Sequence, residues 1–349
     1  MSPETRRAIA DLLENPRFEI LPLKGAEAKV DALPAGTTVT VTSSPTKGLE
    51  ATVELAQRLA GRGLRVVPHL SAKQMPAGRL QEFAGRLLAV GVEDVFVVGG
   101  DATEPVGDFQ NGWELLEALA QLGHPFPNLG VPAYPEGHYL VDDRTLTDAL
   151  LHKQEHATYM VTQLCFDADT IARWLGEVRD AGVTLPAFAG IPGVVDARRL
   201  LSISVRLGIG DSVRFLRGNR ESALRLIRGG YRPDRLVKRL GTMARDGYVD
   251  LEGFHVYTFN QVAESYRWAV EAHERAEADR RRARRLRSPA RRGRHTTAPP
   301  RGRVDTRPAA MSDTADGTTA DQQGFGPADG PGTPESPRHT TTTRAGGRR

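Results

Sequence analysis

The clearest strand in the sequence lies within Asp94-Val95-Phe96-Val97-Val98-Gly99-Gly100-Asp101. Its apolar run, Val95–Val98, consists of β-branched and aromatic residues, which favour a strand buried on both faces, as in a parallel sheet. Two glycines and an acid follow this run. Glycine lets a ligand lie against bare backbone, and α/β proteins place their chemistry at the carboxyl ends of parallel strands. An ordinary Gly-Gly-Asp turn is the alternative for this stretch taken alone.

Seven other segments end in a similar way, and amphipathic helical patterns separate them. Eight strands alternating with helices over about 260 residues predict a (β/α)8 TIM barrel. A doubly wound open sheet is the alternative, but residues 18–25 carry no glycine-rich phosphate turn. The predicted strands lie at 18–23, 38–42, 65–70, 95–99, 129–134, 159–166, 187–191 and 254–259. The predicted helices lie at 3–14, 46–61, 76–90, 112–122, 143–157, 168–181, 196–207, within 211–247 and from 261 to beyond 275.

Charge divides the chain into two parts. Residues 280–349 hold 16 Arg, no Lys and 6 acidic residues, a net charge of +10, whereas residues 1–279 hold 31 basic and 37 acidic residues, net −6. The tail has almost no apolar residues, so it cannot bury enough surface to offset its ordering entropy. We therefore predict a barrel over residues 1–279 and a disordered, low-complexity basic tail over residues 280–349. Phe325 is the only aromatic residue of this tail, so its charge does not favour specific nucleic-acid binding.

The cysteine content indicates a reducing compartment. A single cysteine, Cys165, excludes an intramolecular disulfide framework and fits the cytoplasm. It lies in an apolar stretch, which favours a buried, inert thiol over a nucleophile. No apolar run reaches the ~18 residues that span a bilayer, and the N-terminus lacks the apolar core of a signal peptide. We expect a cytoplasmic protein without a membrane partner, and leave open whether it forms a homo-oligomer.

Polar residues stand at the carboxyl ends of the predicted strands. In a barrel these ends form one ring, so their side chains converge on a single pocket. A lone His or Gln at a strand end often only caps a turn, whereas many such residues together favour a site. The ring contains acids, amides and aromatic residues without concentrated positive charge, which suits a planar heteroaromatic ligand. Its members are Glu19, Thr42, Ser43, Ser44, His69, Ser71, Gly100, Asp101, Tyr134, Glu136, His138, Gln163, Tyr257 and Asn260.

Two further patterns carry weaker signals. Residues 152–156 match the H-x-x-E-H pattern of one metallopeptidase class, and on a helix the two histidines would share a face. Lys153 is a poor neighbour for a cation and no obvious partner acid follows, so we predict no metal. His255 lies close to Glu252 and hints at acid/base chemistry, but its apolar neighbours in the middle of a strand favour a structural role.

Seven short motifs resemble those of the methylenetetrahydrofolate reductases, over about residues 17–270. Each motif lies at a predicted strand, and together they follow the order of the family. The motifs are Phe18-Glu19 followed by Pro22, Pro68-His69-Leu70, Gly100-Asp101, Ala133-Tyr134-Pro135-Glu136-Gly137-His138, Thr162-Gln163-Leu164-Cys165-Phe166-Asp167, Gly190-Ile191-Pro192 and Phe254-His255-Val256-Tyr257-Thr258-Phe259-Asn260.

The resemblance implies a barrel that binds FAD and interconverts 5,10-methylenetetrahydrofolate and 5-methyltetrahydrofolate. NAD(P)H would be the co-substrate, and the reaction would belong to one-carbon metabolism and methionine biosynthesis. By position, Glu19 would be the general acid, Asp101 would lie near the flavin and the pterin in a catalytic and binding role, and Gln163 would hydrogen-bond the folate. The implied FAD contacts are Thr42, His69, Gly100, Asp101, Tyr134, His138 and Lys153.

Departures from the family pattern indicate a divergent member. Gly99 stands where the family usually has Arg, which removes a cation near the cofactor, and His152-Lys153 replaces an Arg-Lys pair. The sequence therefore leaves two functions. The first is the flavin-dependent reductase; the second is a divergent folate-binding barrel that is non-catalytic or flavin-independent. Joint retention of Glu19, Asp101 and Gln163 favours the enzyme, because a binding module has no need of the acid.

Overall fold

The computed structural model describes residues 1–44, 46–100, 105–123, 125–196 and 231–287, with side chains up to residue 278. Strands and helices alternate along these residues. The strands are β1 (Arg17–Ile20), β2 (Thr38–Val41), β3 (Arg65–Ser71), β4 (Asp94–Val98), β5 (Asn128–Ala133), β6 (Tyr159–Thr162), β7 (Ala187–Pro192) and β8 (Leu251–Tyr257). The described helices are α1 (Pro3–Leu12), α2 (Ala26–Lys29), α3 (Gly48–Ala60), α4 (Leu80–Leu88), α5 (Gly112–Gln121), α6 (Asp143–Lys153), α7 (Ala168–Asp180), α8 (Asp234–Arg245) and α9 (Val262–Arg287).

The eight strands form a closed parallel barrel in the order β1 to β8. Each strand pairs with the next, and β8 closes the barrel by pairing with β1, where Tyr257 lies opposite Glu19. The predicted (β/α)8 TIM barrel is therefore confirmed. The open doubly wound sheet is excluded, because it would leave two unpaired edge strands.

The predicted strands are all present, and the largest difference in their bounds concerns β6. This strand ends at Thr162 instead of Phe166. The apolar residues beyond it leave the barrel wall: Leu164 and Phe166 form a small separate core with Val195 and Phe259. Their hydrophobicity therefore reflects burial in a loop, which apolar character alone does not distinguish from burial in a strand.

Side chains alternate along each strand between the helix layer and the lumen. In β1, Phe18 and Ile20 are almost completely buried in the large core that the strands share with the helices. The ring of Phe18 meets that of Tyr266 in α9 edge to face, with centroids 5.7 Å apart. Glu19 lies between Phe18 and Ile20 in sequence, so its side chain faces the lumen.

A group of side chains fills the lumen at the amino ends of the strands. Arg17 Nη1 lies 3.0 Å from Asp94 Oδ2, and the guanidinium lies over the rings of Tyr159 and Phe188, 4.1 and 4.4 Å from their centroids. The Tyr159 hydroxyl donates to Asp94 Oδ1 over 2.8 Å. Burial raises the pKa of Asp94 to about 6, against the opposing effects of Arg17 and Tyr159. Because these four side chains fill the lumen at the amino ends of the strands, the lumen opens toward the carboxyl ends.

Most of the predicted helices that fall within the described residues are present. Ser2 is the N-cap of α1, with its Oγ accepting from the backbone amide of Thr5, as predicted. The last helix continues to Arg287 and so passes the predicted barrel boundary at residue 279. Nearly all of the predicted helix at 196–207, much of the predicted helical span 211–247 and the predicted tail after residue 287 lie outside the described residues. None of the helices that the structure describes is long and apolar enough to cross a membrane.

Candidate active site

The closed barrel places seven of the predicted site residues at its carboxyl end. Each lies at the end of a strand or in the turn that follows, so all belong to the same ring. Asp101, the remaining predicted acid, lies outside the described residues. The seven are Glu19 in β1, Thr42 after β2, His69 in β3, Gly100 after β4, Tyr134 and His138 after β5, and Gln163 after β6.

Glu19 is paired with His255 of β8. Glu19 Oε2 lies 3.2 Å from His255 Nε2, and the two side chains are 13% and 2% exposed. The sequence favoured a structural role for His255, and this interpretation overlooked a residue that contacts the predicted acid. The pairing of β8 with β1 places Tyr257 opposite Glu19, and His255, two residues before Tyr257, therefore faces the same side as Glu19.

The segment after β8 also holds the backbone around Glu19. The Thr258 hydroxyl donates to the Glu19 carbonyl over 2.5 Å. The side-chain amide of Asn260 accepts from the Leu21 backbone N–H at 2.8 Å and donates to the Leu21 carbonyl at 3.2 Å. Phe259 and Asn260 have left-handed backbones, with φ of 51° and 61°. Two consecutive non-glycine residues in this region are costly, and such strain persists where surrounding contacts enforce it. Here those contacts fix the end of β1.

The lumen wall made by β2 and β3 carries buried polar atoms. Among the described residues, Thr40 Oγ1, Thr42 Oγ1, His69 Nε2 and Ser71 Oγ are buried and have no hydrogen-bond partner. Buried polar groups are normally paired, so several unpaired ones on neighbouring strands indicate a surface that a polar ligand can satisfy. Two of the four, Thr42 and His69, are predicted cofactor contacts.

His69 is neutral at physiological pH. Burial, together with the proximity of His255, lowers its pKa from 6.5 to about 3. Its ring packs on that of Phe96, with centroids 4.7 Å apart. The wall therefore presents hydroxyl groups and a neutral imidazole to the lumen, which fits an uncharged, planar, hydrogen-bonding ligand.

We expect His69 and Asp94 to give opposite pH dependences of stability. Between pH 6.5 and about 3 the unfolded state binds the His69 proton and the folded state does not, so the stability from His69 is lost as the pH falls. Asp94, with its pKa raised to about 6, contributes stability below about pH 3.8 that is lost as the pH rises through 6. Urea unfolding of the wild type, His69→Gln and Asp94→Asn from pH 4 to 8 measures both effects.

The difference in unfolding free energy between wild type and variant should rise with pH for His69→Gln. Its slope is at most about 1.4 kcal/mol per pH unit, the value for one proton. The same difference should fall with pH for Asp94→Asn. Two slopes of the same sign would contradict both assignments.

The Gly99-Gly100 pair leaves bare backbone at the end of β4. Gly100 has φ of +94°, and a Cβ there would lie 2.2 Å from the unpaired Ser71 Oγ and 3.6 Å from Lys73 Cβ. A Cβ at Gly99 would meet nothing within 4 Å. Gly100 is thus required by its conformation and by its close contact with β3, whereas Gly99 has room for a side chain.

Aromatic rings line the site next to Glu19. Tyr134 meets His138 edge to face, with centroids 5.1 Å apart, and His138 lies 4.8 Å from Tyr139. Burial raises the pKa of Tyr257 well above its usual value, and the nearby Glu19 and Tyr134 add to the effect. Tyr257 therefore stays a phenol, and its hydroxyl donates to the Thr162 carbonyl over 3.2 Å.

Gln163 stands directly after β6 with its side chain half-buried. Its Oε1 accepts from the backbone amide of Leu164 over 2.8 Å, and its own backbone amide donates to Ala133 at 2.7 Å. The first bond orients the side-chain amide, and the second holds the backbone of Gln163 against the end of β5. The fixed amide group at the ring can donate hydrogen bonds to a ligand.

The H-x-x-E-H stretch packs on an aromatic ring. Trp113 stacks on His156 with centroids 5.3 Å apart and lies 5.9 Å from His152. Both histidines therefore lie beside the same ring, but α6 ends at Lys153 and His156 lies in the turn after it, not on the predicted helix. Within the described ranges, no group of three or more His, Cys, Asp or Glu residues could hold a metal ion. Cys165 is buried as predicted, and burial together with the nearby Glu136 raises the pKa of its thiol to about 12.

The family model described as methylenetetrahydrofolate reductase matches residues 24–210, more than half of the 349-residue chain. The chain belongs to the methylenetetrahydrofolate reductase family. The match begins after Glu19 and ends before β8, so the paired Glu19 and His255 lie beyond its limits.

Reductases of this family are similar to the chain at low identity. Methylenetetrahydrofolate reductase 1 of Schizosaccharomyces pombe is 28% identical over 131 residues, which cover 35% of this chain and 22% of that protein. Methylenetetrahydrofolate reductase 2 of Saccharomyces cerevisiae is 25% identical over 141 residues, which cover 37% of this chain and 23% of that protein. The matched segments thus span less than a quarter of either relative.

A solved structure shares the barrel. An uncharacterized protein from Clostridium thermocellum that binds two copies of 5-methyl-5,6,7,8-tetrahydrofolic acid superposes with a TM-score of 0.56 at 10% identity. The superposition covers 77% of this chain and 98% of that protein. At this identity the likeness shows a common fold.

Lys153 is the predicted FAD contact that lies in a helix and not at a strand end. It lies in the last turn of α6, next to Gln154, whose side chain bonds Gly182 and Thr184 in the turn that enters β7. Burial lowers the pKa of Lys153. The helix carries this residue toward the amino ends of the strands, because each helix of a parallel barrel runs back from the carboxyl ends.

Proposed function

We propose that this protein is an oxidoreductase that interconverts 5,10-methylenetetrahydrofolate and 5-methyltetrahydrofolate with NAD(P)H in one-carbon and methionine metabolism. The observation that carries the proposal is the placement of Glu19. This carboxyl group faces the lumen of a barrel of the reductase family, is largely but not completely buried, and is held by contacts from β8.

Glu19 is the proton donor in this proposal. Reduction requires one proton and one hydride: the proton goes to the nitrogen that leaves when the imidazolidine ring opens, and the hydride goes to the methylene carbon. A positioned carboxylic acid is suited to the first of these transfers. Gln163 supplies a fixed amide for the folate, and the family resemblance implies Asp101 as a second acid.

The site fits FAD in part. The unpaired Thr42 Oγ1 and His69 Nε2, the bare backbone at Gly100 and the rings of Tyr134 and His138 offer polar and planar contacts of the kind a flavin uses. FAD, when bound, supplies hydride transfer between NAD(P)H and the folate. The protein's residues would hold the ring system and exclude water around it.

The site offers fewer positively charged contacts to the cofactor than the family pattern implies. Gly99 carries no charge where the family usually has arginine, and Lys153 lies in the last turn of α6. A charge-assisted hydrogen bond contributes on the order of 1.5–3 kcal/mol, or roughly tenfold to over a hundredfold in affinity. We therefore propose that FAD binds, but more weakly than in family members with the arginine.

Titration with FAD, followed by flavin fluorescence, tests the cofactor. We expect quenching in the wild type and at least about tenfold tighter binding in Gly99→Arg, because that position has room for the side chain. Gly99→Ala is the matched control and should bind as the wild type does.

If added FAD neither loses fluorescence nor shifts the melting temperature of the protein, the cofactor assignment is wrong. Folate reduction by NAD(P)H in the FAD-free protein would then establish the flavin-independent alternative. If neither FAD binding nor folate reduction occurred, the proposal of a reductase would fail, and direct binding of 5-methyltetrahydrofolate would test the non-catalytic barrel.

A further inference from the structure

His255 is built into the barrel wall beside the predicted acid. It lies in β8 opposite Arg17 of β1, and it is 2% exposed, so it is shielded from a ligand in the lumen. Its Nε2 reaches Glu19 Oε2 at 3.2 Å. The other groups of the described chain around it are His69 of β3, which is neutral, and Tyr257, whose ring centroid lies 4.8 Å away.

The two ring nitrogens of His255 have different surroundings. Nδ1 is buried and, among the described residues, has no hydrogen-bond partner. A proton on Nδ1 would be a buried donor without an acceptor, which is less readily tolerated than an unpaired acceptor. The proton of a neutral His255 therefore belongs on Nε2, and the bond to Glu19 runs from Nε2–H to Oε2.

The direction of this bond decides where Glu19 carries its own proton. An oxygen that accepts from Nε2–H presents its lone pair to the histidine, so the acidic proton lies on Oε1. The contacts of Thr258 and Asn260 fix the backbone at Glu19 and Leu21, from which this side chain extends. β8 thus sets both the position of Glu19 and the oxygen that holds the proton.

We propose that His255 is a positioning residue that directs the acidic proton of Glu19 to Oε1 for delivery to the substrate. The inference rests on the proposed role of Glu19. In the step, the O–H bond at Oε1 breaks and an N–H bond forms on the leaving nitrogen, while that nitrogen keeps the electron pair of the broken C–N bond. The negative charge that develops on Glu19 strengthens the bond from Nε2–H, because hydrogen bonds to a charged acceptor are stronger.

The tautomer of His255 is open to measurement in the ligand-free protein. Long-range proton–nitrogen correlation spectra of the 15N-histidine-labelled chain distinguish the two neutral tautomers, and the spectrum of His255→Gln identifies the signal that disappears. We expect the Nε2–H form at pH 7.5. An Nδ1–H form would overturn the proposal whether or not the protein reduces folates.

Kinetics then separate positioning from a merely structural contribution. His255→Leu should slow the proton-dependent folate half-reaction at least about tenfold, with the dissociation constant for 5-methyltetrahydrofolate unchanged. His255→Gln keeps an N–H donor near the position of Nε2 and should restore the rate to within about threefold of the wild type. Equal losses in both variants, or an unchanged rate in His255→Leu, would overturn the inference.

Failure of the proposed function gives a different pattern. In that case the wild type itself would show no folate half-reaction, while the tautomer measurement would still report on the pairing. The melting temperature of His255→Leu shows whether this variant is folded. If it no longer unfolds cooperatively, His255→Phe, which also lacks the N–H donor, takes its place in the kinetic comparison.

Discussion

Glu19→Gln should reduce the rate of methylenetetrahydrofolate reduction by about 10²–10⁴-fold, the usual loss when a general acid is removed. The amide keeps the size of the side chain and one acceptor for the His255 contact, but it has no acidic proton to give. Oxidation of NAD(P)H by the cofactor does not need this proton and should be preserved. Stopped-flow measurement of the two half-reactions separates the effects.

The matched control for this variant is Glu252→Gln. Glu252 is exposed in β8, so the substitution makes the same replacement of a carboxyl group by an amide away from the lumen. We expect both half-reactions to run at the wild-type rate in this control. A folate half-reaction that is unchanged in Glu19→Gln would remove Glu19 from the mechanism, and equal losses in both half-reactions would assign it a structural role.

Gly190→Ala should destabilise the barrel more than any other glycine substitution next to the site. A Cβ at Gly190 would lie 2.0 Å from the Thr162 carbonyl oxygen, which belongs to the backbone of β6 and cannot rotate away. The same Cβ would lie 2.8 Å from the ring of Tyr257. Forcing an atom into a packed interior typically costs 1–3 kcal/mol, and a clash with backbone lies at or above the upper end, so we expect a loss of about 3 kcal/mol or more.

Thermal or urea unfolding measures this loss. Gly176→Ala is the matched control, because Gly176 is exposed in α7 and its Cβ would meet nothing within 4 Å. Replacing a helical glycine by alanine should stabilise the protein by roughly 0.5–1 kcal/mol. The two substitutions should therefore act in opposite directions. A Gly190→Ala variant as stable as the wild type would show that β6 and β7 are farther apart than the structure places them.

The pattern of strands and helices in the sequence was sufficient to predict the barrel and which residues follow its strands. Runs such as Val95–Val98 are short, apolar and β-branched, which restricts them to buried strands, and the helical patterns between them require parallel neighbours. In a closed parallel barrel the carboxyl ends of the strands form one ring. Glu19, His69 and Gln163 could therefore be assigned to this ring from the sequence. Gly100 was also informative in the sequence, because glycine is the residue type that adopts a left-handed backbone most readily, and Gly100 has such a backbone.

Contacts between residues far apart in the sequence could be read only from the folded barrel. Glu19 and His255 are 236 positions apart, and the pairing of β1 with β8 sets their contact. No pattern near His255 announces this contact, since a histidine between apolar residues looks the same whether it faces an acid or a core. Lys153 shows the converse. Its place beside a family motif suggests a cofactor contact, but only the structure shows that its backbone lies in the last turn of α6, next to the turn that enters β7. The position of a helical residue depends on how far along the helix it lies.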